Sequence, residues 1–67
     1  MENNLNFLRE EKIITQKQLC EELKNFDCYI SRSAYAKYET GIRDIPCEIL
    51  VKSAKLFNTT CNYILGV

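Results

Sequence analysis

The chain has 67 residues, with nine basic and nine acidic side chains that cancel, four cysteines, one proline, two glycines and no histidine. That length allows one domain, near the lower limit at which an apolar core closes unaided, and apolar residues spread along the whole chain exclude a disordered tail. No run is long enough to span a membrane or act as a secretory leader, so a cytoplasmic protein is expected; with no net charge, any nucleic-acid affinity must come from a local patch.

Leu5 and Leu8 lie three apart, with Arg9 and Lys12 continuing the same side, which predicts a first helix over 4–12 with Asn3 or Asn4 as its cap. Ile13 and Ile14 link it to a start signal, TQKQ, in which Thr15 can cap and Gln18 falls where a capping box needs it. The second helix, over 16–25, carries Leu19, Cys20 and Leu23 on one face and Lys17, Glu21 and Glu22 on the other. NFDCYI follows with no strong helical period. Ser31 then caps a third helix over 32–40, and Gly41 supplies the left-handed residue that ends it. Pro46 reads as a first-turn residue of a fourth helix over 46–57, whose packing face includes Ile49, Leu50, Ser53, Ala54, Leu56 and Phe57. Thr60 caps a last helix over 61–65, ahead of Gly66. No segment alternates as a sheet would require, so the expected fold is all-α: one five-helix domain over 1–67 with an extended link between helices 2 and 3.

The cysteines, at 20, 28, 47 and 61, form no C-x-x-C pair. Zinc sites usually draw thiolates from close pairs, so no metal or other cofactor is expected, and Cys20 and Cys61 read as buried thiols. There is also no Gly-rich phosphate cradle, and no thiol has a base that the sequence identifies beside it, so catalysis is not expected.

In the third helix, 100° per residue brings Ala34, Tyr35 and Tyr38 together on an inner side and groups Ser33, Ala36 and Lys37 opposite, with Arg32 flanking them. Such an outer face suits the major groove. Arg32 and Lys37 can donate to guanine O6 and N7, Ala36 can touch a thymine methyl or allow close approach, and Ser33 can reach a phosphate or a base edge. Gln16, with Lys17 beside it, and Arg43 are placed to clamp the backbone, and the helix start at Ser31 presents N–H groups to a phosphate. From Cys28 to Arg43 the basic residues are Arg32, Lys37 and Arg43 and the only acid is Glu39, a local net of +2. The balancing acids, Glu2 among them, cluster elsewhere. The same residues would also serve as ordinary solvated surface.

LRE at 8–10, TQKQLCEEL at 15–23, ISRSAYAKYETGIRDIP at 30–46 and LVKSAKLFNTTCNYILG at 50–66 resemble, in order, the signature segments of the Cro/CI-type (XRE) helix-turn-helix family. The resemblance covers nearly the whole chain, and TQ-x-x-L, S-x-x-x-x-x-x-Y-E-x-G and A-x-x-F-N-x-x-x-x-Y-I-L-G carry it jointly. It implies a lambda-repressor-like DNA-binding domain in a bacterial or phage transcriptional regulator, a repressor that binds a double-stranded operator as a symmetric dimer. By the same resemblance Gln16 holds a phosphate, Ser31 caps the recognition helix, Arg32, Ser33 and Lys37 reach base edges beside Ala36, and Arg43 lies in a backbone-contacting segment. Arg9 and Glu39 match a structural ion pair, worth roughly 3–5 kcal/mol to break if buried and under about 1 kcal/mol if exposed. The sequence departs from the pattern between Leu23 and Ile30, where the link is longer. Either helix 2 runs longer or the turn bulges outward; Phe26 and Tyr29 can tuck the excess against the core with Cys28 nearby, or an aromatic there can rest on the DNA backbone. Phe57, Tyr63, Ile64 and Val67 offer a dimer surface or, equally, close the monomer core. The competing function is a protein-interaction module, such as an antitoxin or a partner-dependent regulator.

Overall fold

The computed structural model describes residues 3–67, so Glu2 lies outside the described residues. Five α-helices follow one another: α1 (Leu5–Glu11), α2 (Gln16–Leu23), α3 (Arg32–Glu39), α4 (Cys47–Phe57) and α5 (Cys61–Leu65). A single 3-10 turn, Lys24–Phe26, extends α2, and no strand occurs among the described residues. The interior is closed by Leu5, Leu8, Leu19, Leu23, Tyr35 and Ile64, with Cys20, Cys28 and Ala54 filling the smaller gaps. Tyr35 is the largest fully buried side chain and anchors α3 to the rest.

Each helix start has a specific donor solution. Thr15 Oγ1 accepts from Gln18 N–H while the Gln18 side chain accepts from Thr15 N–H, the reciprocal box expected from TQKQ. Ser31 and Thr60 accept from the N–H groups of Ala34 and Tyr63, both at 3.1 Å. At α1 the capping acceptor is Asn3, whose Oδ1 takes Leu5 N–H at 2.9 Å. Asn4 instead turns to α5: its backbone N–H donates to Ile64 O and its side-chain amide to Tyr63 O. Pro46 stands one position earlier than a first-turn residue. It is the extended residue before Cys47, and its carbonyl accepts the first helical bond from Leu50.

The helix ends share one device. Ile13, Asp27, Gly41, Asn58 and Gly66 all have positive φ, between 53° and 81°, and each follows a helical segment. In four of the five, the left-handed residue donates to the carbonyl three back and the next residue to the carbonyl five back, a Schellman pair. Asp27 and Cys28 do this to Lys24 and Leu23, both at 3.1 Å. That explains the long link. The chain tightens after Leu23, reverses at Asp27 and inserts Cys28 into the core, where it is fully buried. The reading in which Tyr29 tucks inward is therefore corrected: Cys28 takes the inner position, Phe26 is half-buried, and Tyr29 is left 74% exposed.

The four C-terminal residues offered equally for a dimer surface or for the monomer core divide between the two alternatives. Ile64 is completely buried and Phe57 packs on the core, so both close the monomer, while Tyr63 and Val67 face solvent.

Ile13 is the costly member of the left-handed set, at φ 57° and 87% exposed. A β-branched residue there strains against its own Cβ, and so exposed a side chain has little packing to compensate. Ile13→Gly should stabilise the fold by roughly 0.5–1.5 kcal/mol, after allowing for the greater freedom of glycine in the unfolded chain. A higher urea midpoint at unchanged slope is the expected result; an unchanged or lower midpoint contradicts the strain.

Candidate nucleic-acid interface

The position of α3 is set at both ends and in the middle. Tyr35 enters the core from its centre, and Ile30 and Tyr38 pack at the edges. At the C-terminal end, Asn3 Nδ2 donates to the Tyr38 carbonyl at 2.8 Å. The main restraint there is Arg9. Its Nε donates to both Glu39 oxygens at 3.3 and 3.1 Å, and its Nη2 reaches Oε1 at 2.9 Å. Nη1 holds the Ile14 carbonyl at 2.8 Å and Nη2 also holds Asn6 Oδ1 at 2.8 Å. One guanidinium thus ties α1, the turn into α2 and the last residue of α3 into a single unit.

The two side chains are only 17% and 4% exposed, which decides between the buried and exposed alternatives in favour of burial. Hydrogen bonding to Glu39 raises the pKa of Arg9 above its ordinary value, against the opposing effect of burial. Removing one partner strands the other charge in a site with little water. Arg9→Ala should cost about 3 kcal/mol or more, while replacing both Arg9 and Glu39 by methionine should cost less than either single truncation. Chemical denaturation of the three variants measures this, and equal losses below about 1 kcal/mol would mean the pair is energetically exposed.

Tyr35 completes the inner side. Its hydroxyl is buried near the Glu39 carboxylate, but no well-formed hydrogen bond joins them. Burial first, then the nearby negative charge, pushes the Tyr35 pKa far above the usual tyrosine range. Burial likewise raises both buried thiols, Cys20 with help from Cys28 and Cys28 with help from Glu48. The ordinary values are 9.0 for the thiols and 10.0 for the tyrosine. Above these values the unfolded chain loses protons that the folded chain keeps, so stability falls as pH rises. The loss approaches about 1.4 kcal/mol per pH unit for each such group. Denaturation midpoints should decline from pH 9 upward, with a shallower decline above pH 10 in Tyr35→Phe. A flat profile to pH 11 would contradict the raised values of these buried groups.

On the outer side of α3, Arg32, Ser33 and Lys37 are exposed and Ala36 is half-buried, so the four lie on the solvent-facing half of the helix. Ser31 is exposed at its cap, with its oxygen already holding Ala34 N–H. Gln16 is half-buried and Lys17 exposed at the first turn of α2. Arg43 is exposed past the turn, and its backbone N–H donates to the Lys37 carbonyl at 3.2 Å, folding residues 41–43 back beside the end of α3.

The fold also sorts the charges. Among the described residues the ion pairs engage Arg9 with Glu39, Lys12 with Glu22 and Lys24 with Glu21. Glu39, the one acid in the local count of +2, is buried and neutralised by a cation from outside that segment. What the segment shows to water is therefore Arg32, Lys37 and Arg43, with Asp27 and Asp44 just beyond its ends. The bond from the Asn3 amide to Tyr38, beyond the capping role read for an asparagine there, and the bond from the Thr40 hydroxyl to the Ala36 carbonyl escaped the sequence reading, because amide and hydroxyl groups carry no periodic signal.

A short helix buried on one side, preceded by a capped helix and a reversed turn, is a helix-turn-helix arrangement, and a family model described as helix-turn-helix matches residues 5–64. The chain belongs to the Cro/CI-type helix-turn-helix family. Among curated relatives, this helix-turn-helix chain is similar to the HTH-type transcriptional regulator AnsR of Bacillus subtilis (strain 168). They are 49% identical over 37 residues, covering 55% of this chain and 32% of that one. The chain thus spans about a third of that relative's length in the matched part. No solved structure gives a significant match. No helix among the described residues of this helix-turn-helix protein is long and apolar enough to cross a membrane.

Proposed function

We propose that this helix-turn-helix chain binds double-stranded DNA sequence-specifically and regulates transcription, with α3 in the major groove. Arg32, Ser33, Ala36 and Lys37 read base edges; Gln16, Lys17, Ser31 and Arg43 hold the backbone. Residues 1–67 act as one cytoplasmic binding domain without catalytic activity. The carrying observation is the outer half of α3: unpaired cations and a hydroxyl on a helix whose inner half is locked into the core. A face that only needed solvation would not require so rigid a mount. Support also comes from the family and from the printed role of AnsR as a transcriptional regulator.

The finer reading is a repressor that binds its operator as a symmetric dimer. One module covers only about 600–1,000 Å² of DNA-facing surface, and pairing reads two half-sites roughly one helical turn apart. With Ile64 and Phe57 committed to the core, the dimer surface reduces to Tyr63 and Val67 with their surroundings on α5.

Duplexes selected from a random pool provide the test. Arg32→Ala and Lys37→Ala should each weaken the selected site by roughly 1–3 kcal/mol and leave random duplexes less affected. Gln16→Ala should weaken selected and random duplexes more evenly. Equal losses on both kinds of DNA for all three variants would refute this division of roles. A partner protein captured at high salt, with no dependence on Arg32 and Lys37, would favour the protein-interaction module instead.

A further inference from the structure

A cleft of about 310 Å³ opens where α1 and α4 both end, lined by Leu8, Glu11, Lys12, Leu56, Phe57 and Asn58. That volume lies at the small end of the range for small-molecule sites. None of the residues assigned above to DNA borders it. Its floor and its rim differ in kind. Leu8 is buried, and Leu56 and Phe57 are half-buried and pack on the core, so the floor is apolar and fixed. Glu11, Lys12 and Asn58 are exposed and form the rim.

The rim is held by the bonds that close the two helices. Lys12 N–H donates to the Leu8 carbonyl at 3.2 Å and Ile13 N–H to Glu10 at 3.0 Å. At α4, left-handed Asn58 donates to the Lys55 carbonyl at 3.2 Å and Thr59 to Ala54 at 2.9 Å. Among the described residues no donor is bonded to the carbonyls of Glu11, Leu56 or Phe57, with which the two helices end. Two helix C-termini therefore meet at the cleft, and each carries partial negative charge. The side chains add to it. Glu11 brings a carboxylate, and the opposing cation, Lys12, is drawn toward Glu22 on α2 at 3.6 Å. Two carboxylates against one ammonium leave this corner negative.

We propose that this cleft binds a small organic ammonium ion, with its hydrocarbon part on Leu8, Leu56 and Phe57 and its charged nitrogen at Glu11 and the ends of α1 and α4. The ring of Phe57 suits the same ligand, because an aromatic face attracts a cation within about 6 Å of its centre. A carboxylate or phosphate would meet charge of the wrong sign. The site stands apart from the DNA-binding reading, and either holds without the other. With so exposed a rim the affinity is modest: a ligand of about nine non-hydrogen atoms should bind at roughly 1–10 mM.

Three probes of one shape and different charge provide the test: 2-phenylethylammonium, 2-phenylethanol and 3-phenylpropionate. Each is titrated at neutral pH into the isotope-labelled full chain, and amide shifts are followed by nuclear magnetic resonance. The ammonium should move the amides of residues 8–12 and 56–58 saturably, and the alcohol should bind about fivefold more weakly. The carboxylate should bind more weakly still. Glu11→Gln should weaken the ammonium about three- to tenfold and leave the alcohol within about twofold. Glu11→Lys should reverse the order, so that the carboxylate binds more tightly than the ammonium. Glu11 is exposed, and the same spectra report whether each variant stays folded. No saturable shift at these residues, equal binding of ammonium and alcohol, or a preference that survives Glu11→Lys would overturn the proposal.

Discussion

The Arg9–Glu39 pair is the constraint on which the rest depends. An isolated helix of eight residues is not stable in water, so α3 borrows both its existence and its direction from its neighbours. Tyr35 fixes its distance from the core, but a single anchored ring leaves it free to roll. The guanidinium of Arg9 removes that freedom by holding the last residue of α3 against α1 and against the Ile14 carbonyl. Asn3 adds a second hold on the same end through Tyr38. Once the inner side is fixed in this way, the direction of Arg32, Ser33 and Lys37 follows from helix geometry alone.

The same pair resolves the tension between a neutral chain and an anionic ligand. Because Glu39 faces inward and meets Arg9, the acid that would have offset the cations of α3 is removed from their surface. Lys12 and Lys24 are engaged with Glu22 and Glu21 on the α1–α2 side, where surface pairing costs and gains little. Total charge is a poor guide to recognition when folding segregates it. A small patch of this kind cannot pull DNA from afar, so affinity has to come from close fit at the face itself.

Much of this was legible in the residues, and the reasons differ from place to place. Thr15 with Gln18, Ser31, Thr60 and Gly41 have one strongly preferred local role each, and the helices start or stop at them as read. The buried side of α3 was legible from the spacing of Tyr35 and Tyr38. The long link was not, because its closure depends on Asp27 adopting a left-handed conformation that aspartate only tolerates, and on Cys28 serving as the apolar plug in place of an aromatic. Tyr29 faces water only because Cys28 does not. Ile13 was illegible for the opposite reason, since no local rule places a β-branched residue at positive φ. Ile64 was read as equally suited to an interface or a core, and only its complete burial, with Asn4 bonded to α5, decides for the core.

The most direct test of the account is a nuclear magnetic resonance titration of the labelled chain with a duplex selected from random sequences. The account predicts that the largest amide shifts fall on residues 31–37, on Gln16 and Lys17 and on Arg43, while the buried residues around Arg9 and Glu39 keep their positions. Shifts concentrated on α4 and α5, with residues 31–37 unmoved, would show that α3 is not the surface that meets DNA.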